Sequence, residues 1–152
     1  MATGLLTLAA VFSYGMLHLN NGTDLLTAKE KATEAIESVF TARDSLVVTW
    51  SQLRNQTYGG IFLSGPQPIR TPGPDGLVNT ADDGPVEETI LPGPDRLVGT
   101  ADDEVAPLHS LTREIRITDL NQHLREIRVV VTYPYGEGAR EYILTTYISA
   151  FA

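Results

Sequence analysis

The residues from Ala2 to Thr23 carry no formal charge, and most of them are apolar or small. A helix apolar on every side must be buried on every side, in lipid or among copies of itself. About eighteen helical residues rise roughly 27 Å, close to the hydrocarbon thickness of a bilayer. No basic residue precedes the run and no polar loop follows it, so it reads as a retained segment rather than a cleaved signal peptide. Beyond it Leu25, Ala28, Ala32, Ala35, Ile36, Val39 and Phe40 recur at spacings of three and four, with Lys29, Glu30, Glu34 and Glu37 largely elsewhere. The pattern predicts one helix from near Ala2 to about Arg43, apolar in residues 2–23 and amphipathic after that. Gly4, Ala9, Ala10, Ser13 and Gly15 keep its first half thin enough for close helix–helix approach.

The middle of the chain contains a duplication. Pro72-Gly73-Pro74-Asp75-Gly76-Leu77-Val78-Asn79-Thr80-Ala81-Asp82-Asp83 returns twenty residues on (92 against 72) as Pro92-Gly93-Pro94-Asp95-Arg96-Leu97-Val98-Gly99-Thr100-Ala101-Asp102-Asp103. Only 76/96 and 79/99 differ. Pro-Gly-Pro-Asp enforces a turn, and doubling back brings Asp75 near Asp82 and Asp83, and Asp95 near Asp102 and Asp103. Converging carboxylates repel unless a cation lies between them. Calcium, which takes six to eight oxygens from flexible loops, is the expected ion, with Asp75, Asp82, Asp83, Asp95, Asp102 and Asp103 as its ligands. The loops lack the Asp-x-Asp-x-Asp-Gly pattern of an EF-hand. Arg96 places a cation in the second copy, which makes the first the stronger site. The competing reading is an aspartate pair that only caps a solvated turn.

From Arg113 the pattern changes to period two. Ile115 and Ile117, then Ile127, Val129, Val131 and Tyr133, then Tyr142, Leu144, Thr146 and Ile148 mark three antiparallel strands, the last two joined by a hairpin at 134–138. Such a sheet needs a cover for its apolar face, and the amphipathic helix is available. Net charge is −8, which argues against nucleic acid and anionic lipid headgroups as partners. The chain has no cysteine, which removes disulfides and thiolate chemistry. Three scattered histidines (His18, His109, His123), with no nucleophile elbow or phosphate loop, argue against an enzyme.

The N-terminal words Ala2-Thr3-Gly4-Leu5-Leu6-Thr7-Leu8-Ala9 and Ala28-Lys29-Glu30-Lys31-Ala32-Thr33-Glu34-Ala35-Ile36, with the closing strands Arg125–Tyr133 and Tyr142–Ile148, resemble type IV pilins and pseudopilins. The likeness covers the two ends of the chain, and the duplicated loop stands as an insertion. One residue departs: the fifth is Leu5 where the family carries Glu, so that Glu maps onto no residue here. The resemblance implies an α+β fold in which a long N-terminal helix packs by its amphipathic half on a small antiparallel sheet. Its regions would be 1–54 helix, 55–112 connector with acidic loops, and 113–152 sheet. It further implies a structural subunit of an extracellular filament, anchored in the inner membrane before assembly and polymerising with copies of itself through Leu5, Leu6, Leu8, Val11, Phe12, Met16 and Leu17. Alternatives are a minor pilin or pseudopilin working with other pilins in a pilus or type II secretion assembly, and a monomeric membrane-anchored calcium-binding adhesion module.

Overall fold

The computed structural model describes residues 2–46 and 48–151, with side chains from Thr23 onward except at position 47. Helix α1 (Ala2–Asp44) is therefore described in full only over residues 23–44, a helix of 22 residues. Two 3-10 turns follow, Trp50–Gln52 and Gln56–Tyr58. Then come β1 (Gln67–Pro68), β2 (Glu88–Leu91), β3 (Glu104–Pro107), β4 (Thr112–Asn121), β5 (Leu124–Tyr135) and β6 (Gly138–Ser149). One sheet has the order β1-β4-β5-β6 and the other is the β2-β3 pair, all antiparallel.

This corrects the expected long N-terminal helix on a small sheet. Six strands make a mostly antiparallel β-fold the main body, with one helix laid on it. The periodicity at the two ends of the sequence overweights the helix for a physical reason. β4, β5 and β6 run to ten, twelve and twelve residues, and the supposed connector contributes three further strands. Between the 3-10 turns and β1, Phe62 forms a single isolated bridge with Asn55.

α1 seats on β5 and β6 through Ala28, Ala32, Ala35, Val39 and Ala42, all fully buried. Alanine at this spacing forms a flat stripe, so the helix lies close to the strands. The facing side of the sheet is Ile115, Ile117, Ile127, Val129, Val131, Tyr133 and Ile148, also buried. Register places Ile115 opposite Val129 and Val129 opposite Leu144, so one face is a continuous apolar plate. The other carries Arg116, Arg128, Thr145 and Glu126 towards solvent.

Three buried polar side chains hold the layers in register. Arg113, fully buried on β4, donates from Nε to Asn79 Oδ1 at 2.7 Å, and from Nη1 to Glu34 Oε2 at 2.7 Å and the Lys31 carbonyl at 3.2 Å. Arg125 on β5 donates to Asp119 Oδ1 at 2.5 Å and to the Leu53 and Trp50 carbonyls, with its guanidinium 4.0 Å from the Trp50 ring centre. Asn55 behaves like a segment of missing strand. Its Nδ2 donates to the Ile115 carbonyl at 2.7 Å and its Oδ1 accepts from Ile117 N–H at 2.9 Å, satisfying the edge of β4 beyond the two-residue β1.

Removing the Arg113 guanidinium strands Asn79 Oδ1 in the interior, whereas Glu34 remains partly solvated. Arg113→Met is therefore expected to cost about 3 kcal/mol in urea unfolding, and Glu34→Gln less than about 1 kcal/mol. Equal losses would mean that the ion pair, not the link to Asn79, carries the contribution.

Candidate functional site

Local chemistry builds the two copies of the duplicated loop alike. In the first, Gly76 N–H donates to the Gly73 carbonyl at 3.0 Å, and in the second Arg96 N–H donates to the Gly93 carbonyl at 2.9 Å. The arms then approach so closely that a Cβ on Gly73 would lie 2.6 Å from the Asp82 carbonyl oxygen, and one on Gly93 2.2 Å from that of Asp102. Glycine is required at both. Positions 76 (φ 72), 79 (φ 59), 96 (φ 59) and 99 (φ 94) are left-handed, so the only two differences between the copies fall on the only two left-handed positions of the motif.

Within each copy the aspartates are held by donors of their own loop. Asp75 Oδ1 accepts from Leu77 N–H at 2.8 Å, and Asp83 Oδ2 accepts from Asn79 N–H at 2.9 Å. The Thr80 hydroxyl lies 2.8 Å from Asp82 Oδ1 and 3.0 Å from Asp83 Oδ1. The second copy repeats the set except for the hydroxyl contact to its last aspartate. Leu97 N–H reaches Asp95 Oδ1 at 2.9 Å, Gly99 N–H reaches Asp103 Oδ2 at 2.6 Å, and the Thr100 hydroxyl lies 2.7 Å from Asp102 Oδ1. The Thr80 hydroxyl is the main reason that the Asp82 carboxyl sits below its ordinary range, and Thr100 does the same for Asp102. Among the described residues no three of His, Asp and Glu are grouped so as to hold a metal ion. In this geometry the aspartates serve as acceptors that close the turn.

The surroundings of the copies differ. Leu77, Val78, Asn79 and Thr80 are buried: Val78 N–H donates to Ser38 Oγ of α1 at 2.9 Å, and Asn79 Nδ2 donates to the Arg113 carbonyl at 3.1 Å. The matching Leu97 and Val98 are 61% and 66% exposed at the end of the β2-β3 hairpin. Gly99 has no side chain with which to make the Asn79 latch. Sequence reasoning missed Arg113, Arg125 and Asn55, although one signal was present: Arg113 and Arg125 occupy the inward phase of the alternation that Ile115 and Ile127 continue.

The assembly residues Leu5, Leu6, Leu8, Val11, Phe12, Met16 and Leu17 lie outside the residues whose side chains are described. Among the described residues no helix is long and apolar enough to cross a membrane. Comparison with family models, characterised proteins and solved structures finds no match, and nothing in it identifies a pilin family.

A depressed carboxyl pKa stabilises the fold above the ordinary value of 3.8, and that contribution is lost as pH falls below it. Thr80→Val removes the principal hydrogen bond to Asp82. Carboxyl-carbon NMR titration should then show Asp82 moving up towards 3.8 with Asp102 unmoved, and Thr100→Val should give the reverse. Unchanged titration in both variants would assign the shift to the backbone instead.

Proposed function

We propose that this chain is a structural subunit of an extracellular filament of the type IV pilin kind, joined to its copies through the apolar segment 2–23 and held in a membrane by that segment before assembly. The observation that carries the reading is the junction at Thr23. The uncharged sequence ends there, and the helix from 23 to 44 is clamped to the sheet by its alanine stripe. A segment that must bury itself on all sides is thus attached to a head that does not yield, as a load-bearing subunit requires. The inward arginines and Asn55 lock that head to α1 and to the turns after it.

Calcium belongs to the proposal as the ligand of the acidic loops. Most of these carboxylate oxygens accept from loop donors and keep a further lone pair, so a cation would compete with those donors for Asp75, Asp82 and Asp83, or for Asp95, Asp102 and Asp103. If it binds, millimolar calcium raises the melting temperature by a few degrees over chelator. Asp82→Asn, which keeps an oxygen acceptor, reduces the rise. Identical melting in calcium and chelator removes the ion from the proposal without touching the filament.

The filament itself is tested by electron microscopy of the full chain after detergent removal, with mass spectrometry of the filament material. Thin filaments composed of this chain are expected, and Val11→Arg should abolish them while the head melts as before. Filaments indifferent to Val11→Arg, or a chain that stays monomeric in micelles, would overturn the reading, the latter in favour of an anchored adhesion module.

A further inference from the structure

The main sheet has two ends, and the fold treats them differently. At β4 the two-residue β1 and the Asn55 side chain take up backbone groups of the edge. At the other end β6 runs for twelve residues with no strand beyond it. Its pairing with β5 has no register shift, and Tyr142 to Ile148 is a run of seven residues without charge, proline or glycine. Charge, proline, a bulge or a short strand is what keeps a free edge from pairing with another chain, and this segment has none of them. The two-residue turn makes Tyr135 and Gly138 a hydrogen-bonded pair, so even-numbered residues of β6 bond β5, a phase that Ala150 N–H continues on the His123 carbonyl at 2.8 Å. The N–H and C=O groups of Ile143, Thr145 and Tyr147 therefore point out from the edge. The Ser149 carbonyl accepts from Arg43 Nη1 at 3.4 Å, which closes the edge there.

The side chains on this edge complement their own copies. On the solvent face Ile143 (42%) and Tyr147 (56%) are exposed, two residues either side of Thr145. A two-fold axis at Thr145 sets Ile143 of each copy opposite Tyr147 of the other, an aromatic–β-branched pair made twice, and Tyr142 opposite Ile148 on the helix side. Glu141 then faces Ser149 and Arg140 faces Ala150, so no like charges meet in a chain of net −8. The helix layer ends at the same edge. Glu34 and Ser38 turn one flank of α1 towards β4 and the first loop. The opposite flank, from which Arg43 reaches Ser149, carries Ile36 and Phe40, both only partly buried. A partner that continues both layers, strand beside strand and helix beside helix, is another head of the same kind.

We propose that β6 pairs antiparallel with β6 of a second copy about a two-fold axis at Thr145, joining two four-stranded sheets into one. Facing residues have the same parity, so the axis stands perpendicular to the sheet. Both α1 helices then lie on one face and run in opposite directions. The two segments 2–23 leave at opposite ends, so the contact joins heads of two separate filaments rather than neighbours along one. The strand pairing stands without the filament reading, and its use as a tie between filaments rests on that reading.

The chain has no cysteine, so Thr145→Cys places a single thiol on the axis. Opposite residues of a hydrogen-bonded pair lie about 5.5 Å apart at Cα, within disulfide reach. The full-length Thr145→Cys chain, oxidised in detergent, is expected to give far more disulfide dimer than Thr118→Cys, an exposed position on the same face of β4 and away from the edge. Ile143→Lys in the Thr145→Cys chain should cut the dimer roughly fivefold, the scale of two lost cross-strand pairs. The proposal fails if Thr145→Cys dimerises no more than Thr118→Cys, or if Ile143→Lys leaves the yield unchanged. These outcomes separate from those of the filament reading. Excess dimer from a chain that forms no filaments keeps the strand contact and removes the tie, and filaments without excess dimer remove the contact and leave the filament.

Discussion

A guanidinium buried without exposure is stable only where acceptors surround it, and those acceptors are then fixed in place by it. Arg113 takes Asn79 from the first acidic loop, the Lys31 carbonyl and Glu34 from α1, and contributes its own backbone carbonyl to Asn79 in return. Helix, sheet and loop thus meet at one side chain. The alanine stripe sets how close α1 lies to the strands but not its position along them, because alanines slide past an apolar plate with little preference. Arg113 supplies the register, and Ser38, holding Val78 N–H from the same helix, supports it.

The duplicated loop separates local from tertiary causes within one molecule. Turn, left-handed positions, threonine bridge and aspartate caps recur in both copies because they depend only on the twelve residues of the motif. Burial depends on what surrounds the motif. The first copy falls between α1 and β4 and is drawn in by Asn79; the second is carried out on β2 and β3, away from any partner for Leu97 and Val98.

The far end of the sheet uses the same device in a second form. Arg125 gathers the carbonyls of the 3-10 turn at Trp50 and the carboxylate of Asp119, which also receives Arg54. Burial pushes the Asp119 carboxyl up, but hydrogen bonds and charge from the two arginines outweigh it and hold the group below the usual range. Together with Asn55 on the edge of β4, this ties the segment between helix and sheet to both, so a head without disulfides has its long connection fastened by hydrogen bonds.

The sequence by itself determined the elements whose causes are local. The period-three-and-four pattern gave an amphipathic helix to about Arg43, which the structure ends at Asp44, the period-two pattern gave the alternation of β4, β5 and β6, and the repeat gave the same turn twice. Only the tertiary structure decided the balance between helix and sheet, the hairpin inside the repeat, and which copy is buried. It also put Arg113, Arg125 and Asn55 inside, against the usual preference of such residues for water. The reason is physical: their main partners are distant in the chain, Asn79 being 34 residues from Arg113, and Ile115 60 residues from Asn55, although Arg113 Nη2 is buried without a partner. A polar residue at an inward position signals in sequence that a partner must exist, and only the folded chain identifies it.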